Sequence, residues 1–161
     1  MIGNDIVDLV LAQKENNWKR NGFLNKIFTS QEQLLIHSYE NPEIMIWNLW
    51  SRKEASYKIY NRQTGIRKYN PIQFECFDLH LEIGKVVFEN QVYYTKTEIT
   101  SEFIYSISVS NISGFDEIIN LENFIKIEKQ NGIPFYKNEN HLIKPISKTN
   151  HGRFEKIISI N

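Results

Sequence analysis

Trp47-Asn48-Leu49-Trp50-Ser51-Arg52-Lys53-Glu54-Ala55-Ser56-Tyr57-Lys58 reads as helix and plants a carboxylate in the middle of its greasiest face. At about 100° per residue, Ile46, Trp47, Trp50 and Tyr57 share roughly one third of the circumference, and Glu54 projects between them. A core-facing stripe of this kind ordinarily carries Leu or Phe, because a buried carboxylate is costly unless a charge meets it. Two partners suit Glu54: Lys58, one turn further on, or a metal ion. On an exposed face the Glu54 and Lys58 pair would contribute about 0.2–0.5 kcal/mol, but the flanking Trp50 and Tyr57 argue against plain exposure.

The helix has clear ends. Asn41-Pro42-Glu43 starts it, with Pro42 suited to the first turn, and Gly65 lets the chain leave. Before it, Thr29 or Ser30 can cap a shorter helix, with Glu32 or Gln33 near the third position. The opening run Ile2-Gly3-Asn4-Asp5-Ile6-Val7-Asp8-Leu9 is long enough for one strand, in which Gly3, Asp5, Val7 and Leu9 share a face. Asp5 then sits on an otherwise apolar or bare side, and Gly3 leaves room for a ligand to approach the backbone. The alternative is that Asn4-Asp5 is a turn entering a helix. Asp8 suits a strand end or a cap.

Beyond Pro71 the period changes. Phe74, Cys76, Phe77, Leu79 and Leu81, then Val86-Val87-Phe88, Val92-Tyr93-Tyr94 and Phe103 to Val109 predict a meander of antiparallel strands. Asp116 to Gln130, with Ile118, Ile119, Leu121, Phe124, Ile125 and Ile127, carries a weaker helical pattern that Gly132-Ile133-Pro134 breaks. Two short strands follow, Ile143 to Ser147 and Phe154 to Ile160, flanking a loop from Lys148 to Arg153. The expected fold class is α+β, an antiparallel sheet packed against helices.

The 161 residues, 41% apolar, suffice for one domain with a real core but not comfortably for two, so residues 1–161 read as a single domain. Lys plus Arg equals Asp plus Glu at 19 each, which removes the basic excess expected of a general nucleic-acid binder. One cysteine, Cys76, excludes an intrachain disulfide framework and a Cys-based zinc site. No apolar run approaches the roughly 20 residues of a membrane span, and the start lacks a basic leader, so a cytoplasmic location is expected. The basic group Lys19, Arg20 and Lys26 lies among Trp18, Phe23 and Phe28; it is either a solvated helix face or a docking patch.

Three spaced blocks, Gly3-x-Asp5-Ile6-Val7-Asp8, Phe28-Thr29-x-x-Glu32 and Trp50-x-x-Lys53-Glu54-Ala55-x-x-Lys58, together resemble the signature of the 4′-phosphopantetheinyl transferases. The first block is similar to the short holo-acyl-carrier-protein synthase type. Near the end, Gly132-Ile133-Pro134 and Thr149-Asn150-His151-Gly152-Arg153-Phe154 resemble the family's Gly-x-Pro and Ser-His blocks, with Asn150 where the usual histidine stands.

The resemblance implies a 4′-phosphopantetheinyl transferase-like fold and transfer of phosphopantetheine from coenzyme A to a serine of an acyl carrier protein. By the same resemblance, Asp5 and Glu54 bind Mg²⁺ on the coenzyme A diphosphate. Magnesium suits such a site, since it takes oxygen ligands and keeps several waters, so one or two carboxylates suffice. Lys58 would neutralise phosphate charge, Glu54 would take the serine proton, and Lys148, His151 and Arg153 form a phosphate-facing cluster or else decorate a turn around Gly152. Acyl carriers are acidic, which suits Lys19, Arg20 and Lys26. Short family members share sites within a trimer, and a homo-oligomer is expected here; alternatively the C-terminal segment folds back beside the first strand and completes the site in one chain. Two other readings are a decayed coenzyme A-binding or scaffold protein, for which Asn150 would be the sign, and an unrelated Mg²⁺-dependent nucleotide-binding enzyme.

Overall fold

A computed structural model describes residues 1–80, 82–121, 126–130, 132–138 and 140–161. Its centre is the helix expected from the aromatic stripe, α4 (Pro42–Thr64), preceded by α1 (Leu9–Glu15), α2 (Phe23–Ile27) and α3 (Ser30–Ser38). Asn41 caps α4 by accepting from the Ile44 N–H, Pro42 lies in the first turn, and Gly65 ends it at φ 74°, a conformation a Cβ would strain.

The helix lies across a five-stranded antiparallel sheet formed by β1 (Ile2–Asp8), β2 (Glu75–His80), β3 (Ile83–Phe88), β4 (Gln91–Ile99) and β5 (Phe103–Val109). The strand order is β1-β5-β4-β3-β2, so the N-terminal strand closes the edge of the expected meander, with Asp5 opposite Ser106. Small side chains set the approach of α4. A Cβ on Gly3 would lie 2.0 Å from the Ala55 carbonyl oxygen. Ser51 and Ser56 meet Ser106 and Ser108 at 2.6 and 3.0 Å. Gly3 is therefore bare to admit the helix backbone, rather than a ligand as the sequence suggested.

Between α3, α4 and β2 the core closes over one ion pair. Thr29 and Glu32 form a reciprocal capping box at the start of α3. The same Glu32 carboxylate accepts from Lys53 Nζ at 2.7 Å and from the Cys76 backbone N–H at 2.9 Å, while Lys53 also donates to the Pro71 carbonyl. Both side chains are buried, with Lys53 over the Phe28 ring. Two of the blocks quoted above, Thr29-x-x-Glu32 and Lys53-Glu54, thus meet in the core through Glu32 and Lys53. Cys76 is a free, buried thiol.

A second sheet, ordered β6-β10-β9-β8-β7, is built from β6 (Ile118–Leu121), β7 (Glu128–Gln130), β8 (Ile133–Lys137), β9 (Ile143–His151) and β10 (Phe154–Ile160). Here the sequence reading is corrected. Residues 118–121 and 128–130 are strands and not helix, because Ile118 to Leu121 gain backbone partners on β10 and residues 128–130 gain theirs on β8. Residues 122–125 of that expected helix lie outside the described residues. The expected loop from Lys148 is strand as far as His151; only Gly152 and Arg153 separate β9 from β10.

The two sheets meet at β1. The backbone N–H groups of Asn4, Ile6 and Asp8 would be bare on its outer edge. They donate instead to Ser147 Oγ, Thr149 Oγ1 and His151 Nδ1 at 2.9, 3.2 and 2.9 Å. Alternate side chains of β9 therefore stand in for the carbonyls of a neighbouring strand.

Lys53→Ala leaves Glu32 buried without its counter-charge and is expected to cost about 3–5 kcal/mol in urea unfolding. A loss below about 1 kcal/mol would show that the pair does not hold this corner of the core.

Candidate active site

Asp5 enters from β1 and Glu54 from α4, and both line one cavity of about 290 Å³. Trp47, Trp50, Phe23 and Ile27 form its apolar wall, and Asn150 and His151 of β9 close the other side. Lys58 lies at the junction: its Nζ donates to Asp5 Oδ1 at 3.2 Å and to the Asn4 carbonyl at 2.6 Å. The same Asp5 oxygen accepts from Thr149 Oγ1 at 3.1 Å. Of the two partners open to Glu54 in the sequence, Lys58 is taken by Asp5. Glu54 has no hydrogen bond or ion pair among the described residues.

That asymmetry shapes the electrostatics. Burial pushes the Glu54 carboxyl up to about 7, with the Asp5 charge adding to the rise and Lys58 opposing it. Asp5 is also raised by burial, against the pull of Lys58, Thr149 and His151. Two desolvated carboxylates, the charge of Asp5 further raising Glu54, fit a bound cation, which lowers both. Among the described residues no three His, Cys, Asp or Glu side chains cluster as metal ligands. A pair of carboxylates still fits Mg²⁺, which completes its shell with water and substrate oxygens.

The other residues singled out in the sequence are placed as follows. Asp8 caps α1 through the Val10 and Leu11 N–H groups and accepts from the Arg153 backbone N–H, Nε and Nη2. Chiefly through the Arg153 hydrogen bonds, its carboxyl is held well below the usual carboxylate range. It is a cap and an anchor, as its strand-end position suggested. Arg153 is committed to Asp8 and Glu102 and does not line the cavity. His151 lines it, but Nδ1 accepts from the Asp8 N–H, and Nε2 points to Glu15 at 3.6 Å. Lys148 pairs with Glu155 and lines a different cavity, which it shares with Lys58.

Thr149 and Trp47 were not singled out for the site. The signal for Thr149 was the alternation Ser147-x-Thr149-x-His151, which puts three polar side chains on one face of a strand. Trp47 read as core; it is buried, yet it lines the cavity, and its indole N–H is among the buried polar atoms with no partner among the described residues. Lys19, Arg20 and Lys26 are exposed, with Lys19 over the Trp18 ring and Arg20 over Phe23, itself part of the cavity wall.

Because folding raises the Glu54 pKa from 4.5 to about 7, the folded chain keeps a proton that the unfolded chain has lost in this interval. The resulting stability is complete below pH 4.5 and drains as pH rises through 7. In metal-free buffer above pH 7, Glu54→Gln is expected to be more stable than the wild type by about 3 kcal/mol relative to their difference in acid. Parallel stability curves for the two proteins across this range would contradict the assignment.

Among curated proteins, none matches the chain in sequence. Solved structures do resemble it in fold. The holo-[acyl-carrier-protein] synthase of Helicobacter pylori, in complex with coenzyme A, superposes with a TM-score of 0.54 at 19% identity, covering 68% of this chain and 98% of that one. That of Neisseria meningitidis gives 0.55 at 18% identity, over 66% and 94%. The family model of the 4′-phosphopantetheinyl transferase superfamily matches residues 1–107, which span β1, α4 and both cavity carboxylates. On that match the chain belongs to the 4′-phosphopantetheinyl transferase superfamily.

Proposed function

We propose that this protein transfers 4′-phosphopantetheine from coenzyme A to a serine of an acyl or peptidyl carrier protein, releasing adenosine 3′,5′-bisphosphate. The observation that carries this reading, beside family membership, is the pair Asp5 and Glu54 facing one cavity, with Lys58 bonded to Asp5. The serine oxygen forms a bond to the β-phosphorus of coenzyme A, and the bond from that phosphorus to the bridging oxygen breaks. Phosphoryl transfer of this kind needs alignment and charge neutralisation more than covalent chemistry.

Asp5 and Glu54 would hold Mg²⁺, which would neutralise charge on the diphosphate. Lys58, fixed by the Asn4 carbonyl, presents its ammonium to the bridging or departing oxygen. Glu54, directly or through a water that it holds, would take the serine proton. Lys19, Arg20 and Lys26, of which Arg20 lies over Phe23 of the cavity wall, would steer an acidic carrier surface.

We further propose that each chain builds its own site. The wall opposite α4 is β9 of the same chain, which brings Asn150 and His151 to the cavity. A neighbouring subunit is then not needed to supply it, in contrast to the trimer with shared sites that the sequence resemblance suggested.

Incubation with coenzyme A, Mg²⁺ and an apo carrier protein is expected to add the mass of one phosphopantetheine to the carrier. Glu54→Gln should slow this by at least about 10²-fold while unfolding in urea no more readily than the wild type. Unimpaired transfer by the variant would remove Glu54 from the mechanism. Coenzyme A binding with no transfer to any carrier would favour the decayed, scaffold reading.

A further inference from the structure

The connection between α4 and β2 is moored to the helix that it has just left. Tyr57 donates to the Arg67 carbonyl at 2.8 Å, and Asn61 donates to the Ile66 carbonyl at 2.8 Å. These bonds fix where Tyr69 falls. Its ring meets Trp50 edge to face at 6.1 Å between centroids, and lies 4.5 Å from Tyr57 and 5.6 Å from Phe74. Trp50 and Tyr57 stand one turn before and one turn after Glu54 on the same face of α4. A ring that touches both covers the turn that carries the carboxylate.

The Tyr69 hydroxyl is a buried donor without a partner among the described residues. Packing alone does not account for it, since Phe would give the same ring contacts and leave no buried donor unpaired. Burial raises the hydroxyl well above the usual tyrosine value, and of the acids that add to the rise Glu54 acts most strongly, ahead of Asp5, Cys76 and Glu32. The same carboxylate acts on Tyr57, whose hydroxyl is already committed to Arg67. A donor and an acceptor, each lacking a partner among the described residues, thus face the same turn of α4. Tyr69 does not line the cavity, so it is placed to act through Glu54 and not on a substrate.

We propose that Tyr69 is a positioning residue for the transfer: its hydroxyl donates through one water to the Glu54 carboxylate and sets the direction in which that carboxylate faces the cavity. This rests on the transferase reading. A water that accepts from Tyr69 and donates to Glu54 spans a gap too long for a direct hydrogen bond at little cost. It gives Glu54 the hydrogen bond that Lys58, committed to Asp5 and the Asn4 carbonyl, does not. A proton acceptor held in one orientation is what an aligned transfer requires.

Steady-state transfer by Tyr69→Phe, alone and combined with Glu54→Gln, tests this. Tyr69→Phe is expected to lower kcat about tenfold with KM for coenzyme A and for the carrier unchanged, and to unfold in urea no more readily than the wild type. In the Glu54→Gln background, adding Tyr69→Phe should change the rate by less than about twofold, because the carboxylate through which Tyr69 acts is gone. An undiminished kcat, a loss of the same size in both backgrounds, or a loss matched by easier unfolding overturns the assignment and leaves the transferase reading intact. A wild type that transfers phosphopantetheine to no carrier overturns both.

Discussion

The carbonyl of Ala55 occupies the space where any side chain on Gly3 would stand, and the site depends on that contact. It lets α4 lie on β1 at backbone distance, so that Asp5 and Glu54, 49 positions apart in sequence (54 − 5), face one cavity. The serines on both sides, Ser51 with Ser106 and Ser56 with Ser108, keep the approach close while satisfying their hydroxyls in a buried seam. Lys58 then reaches across the seam to the Asn4 carbonyl and Asp5. Chemistry and packing share the same two elements.

The second constraint is the outer edge of β1. An unpaired edge beside an active site invites the wrong partner, and β9 covers this one with hydroxyl and imidazole acceptors rather than with backbone. Thr149 is bound into both functions, since its hydroxyl accepts from the Ile6 N–H and donates to Asp5. Asp8 and Arg153 lock the far end of the seam. The segment beyond the family match is thus part of the wall around the carboxylates.

Much of this was legible from sequence because local rules and tertiary demands agreed. The aromatic stripe with Glu54 inside it, the Asn41-Pro42 start and the Gly65 stop define α4, and the β-branched and aromatic runs define β2 to β5. The segment from Asp116 to Gln130 failed because its apolar spacing fits either period, and pairing with β10 and β8, invisible locally, decides for strand in the described residues. Gly3 was assigned the right openness for the wrong neighbour. The Asp5–Lys58 bridge depends on a contact between residues 53 positions apart, which spacing along one helix does not disclose.

The central claim is a metal site split between β1 and α4. Calorimetric titration of Mg²⁺ into the protein in the presence of coenzyme A tests it most directly. The account predicts saturable binding that Asp5→Asn and Glu54→Gln each abolish; Mg²⁺ binding that survives either substitution at full affinity would contradict it.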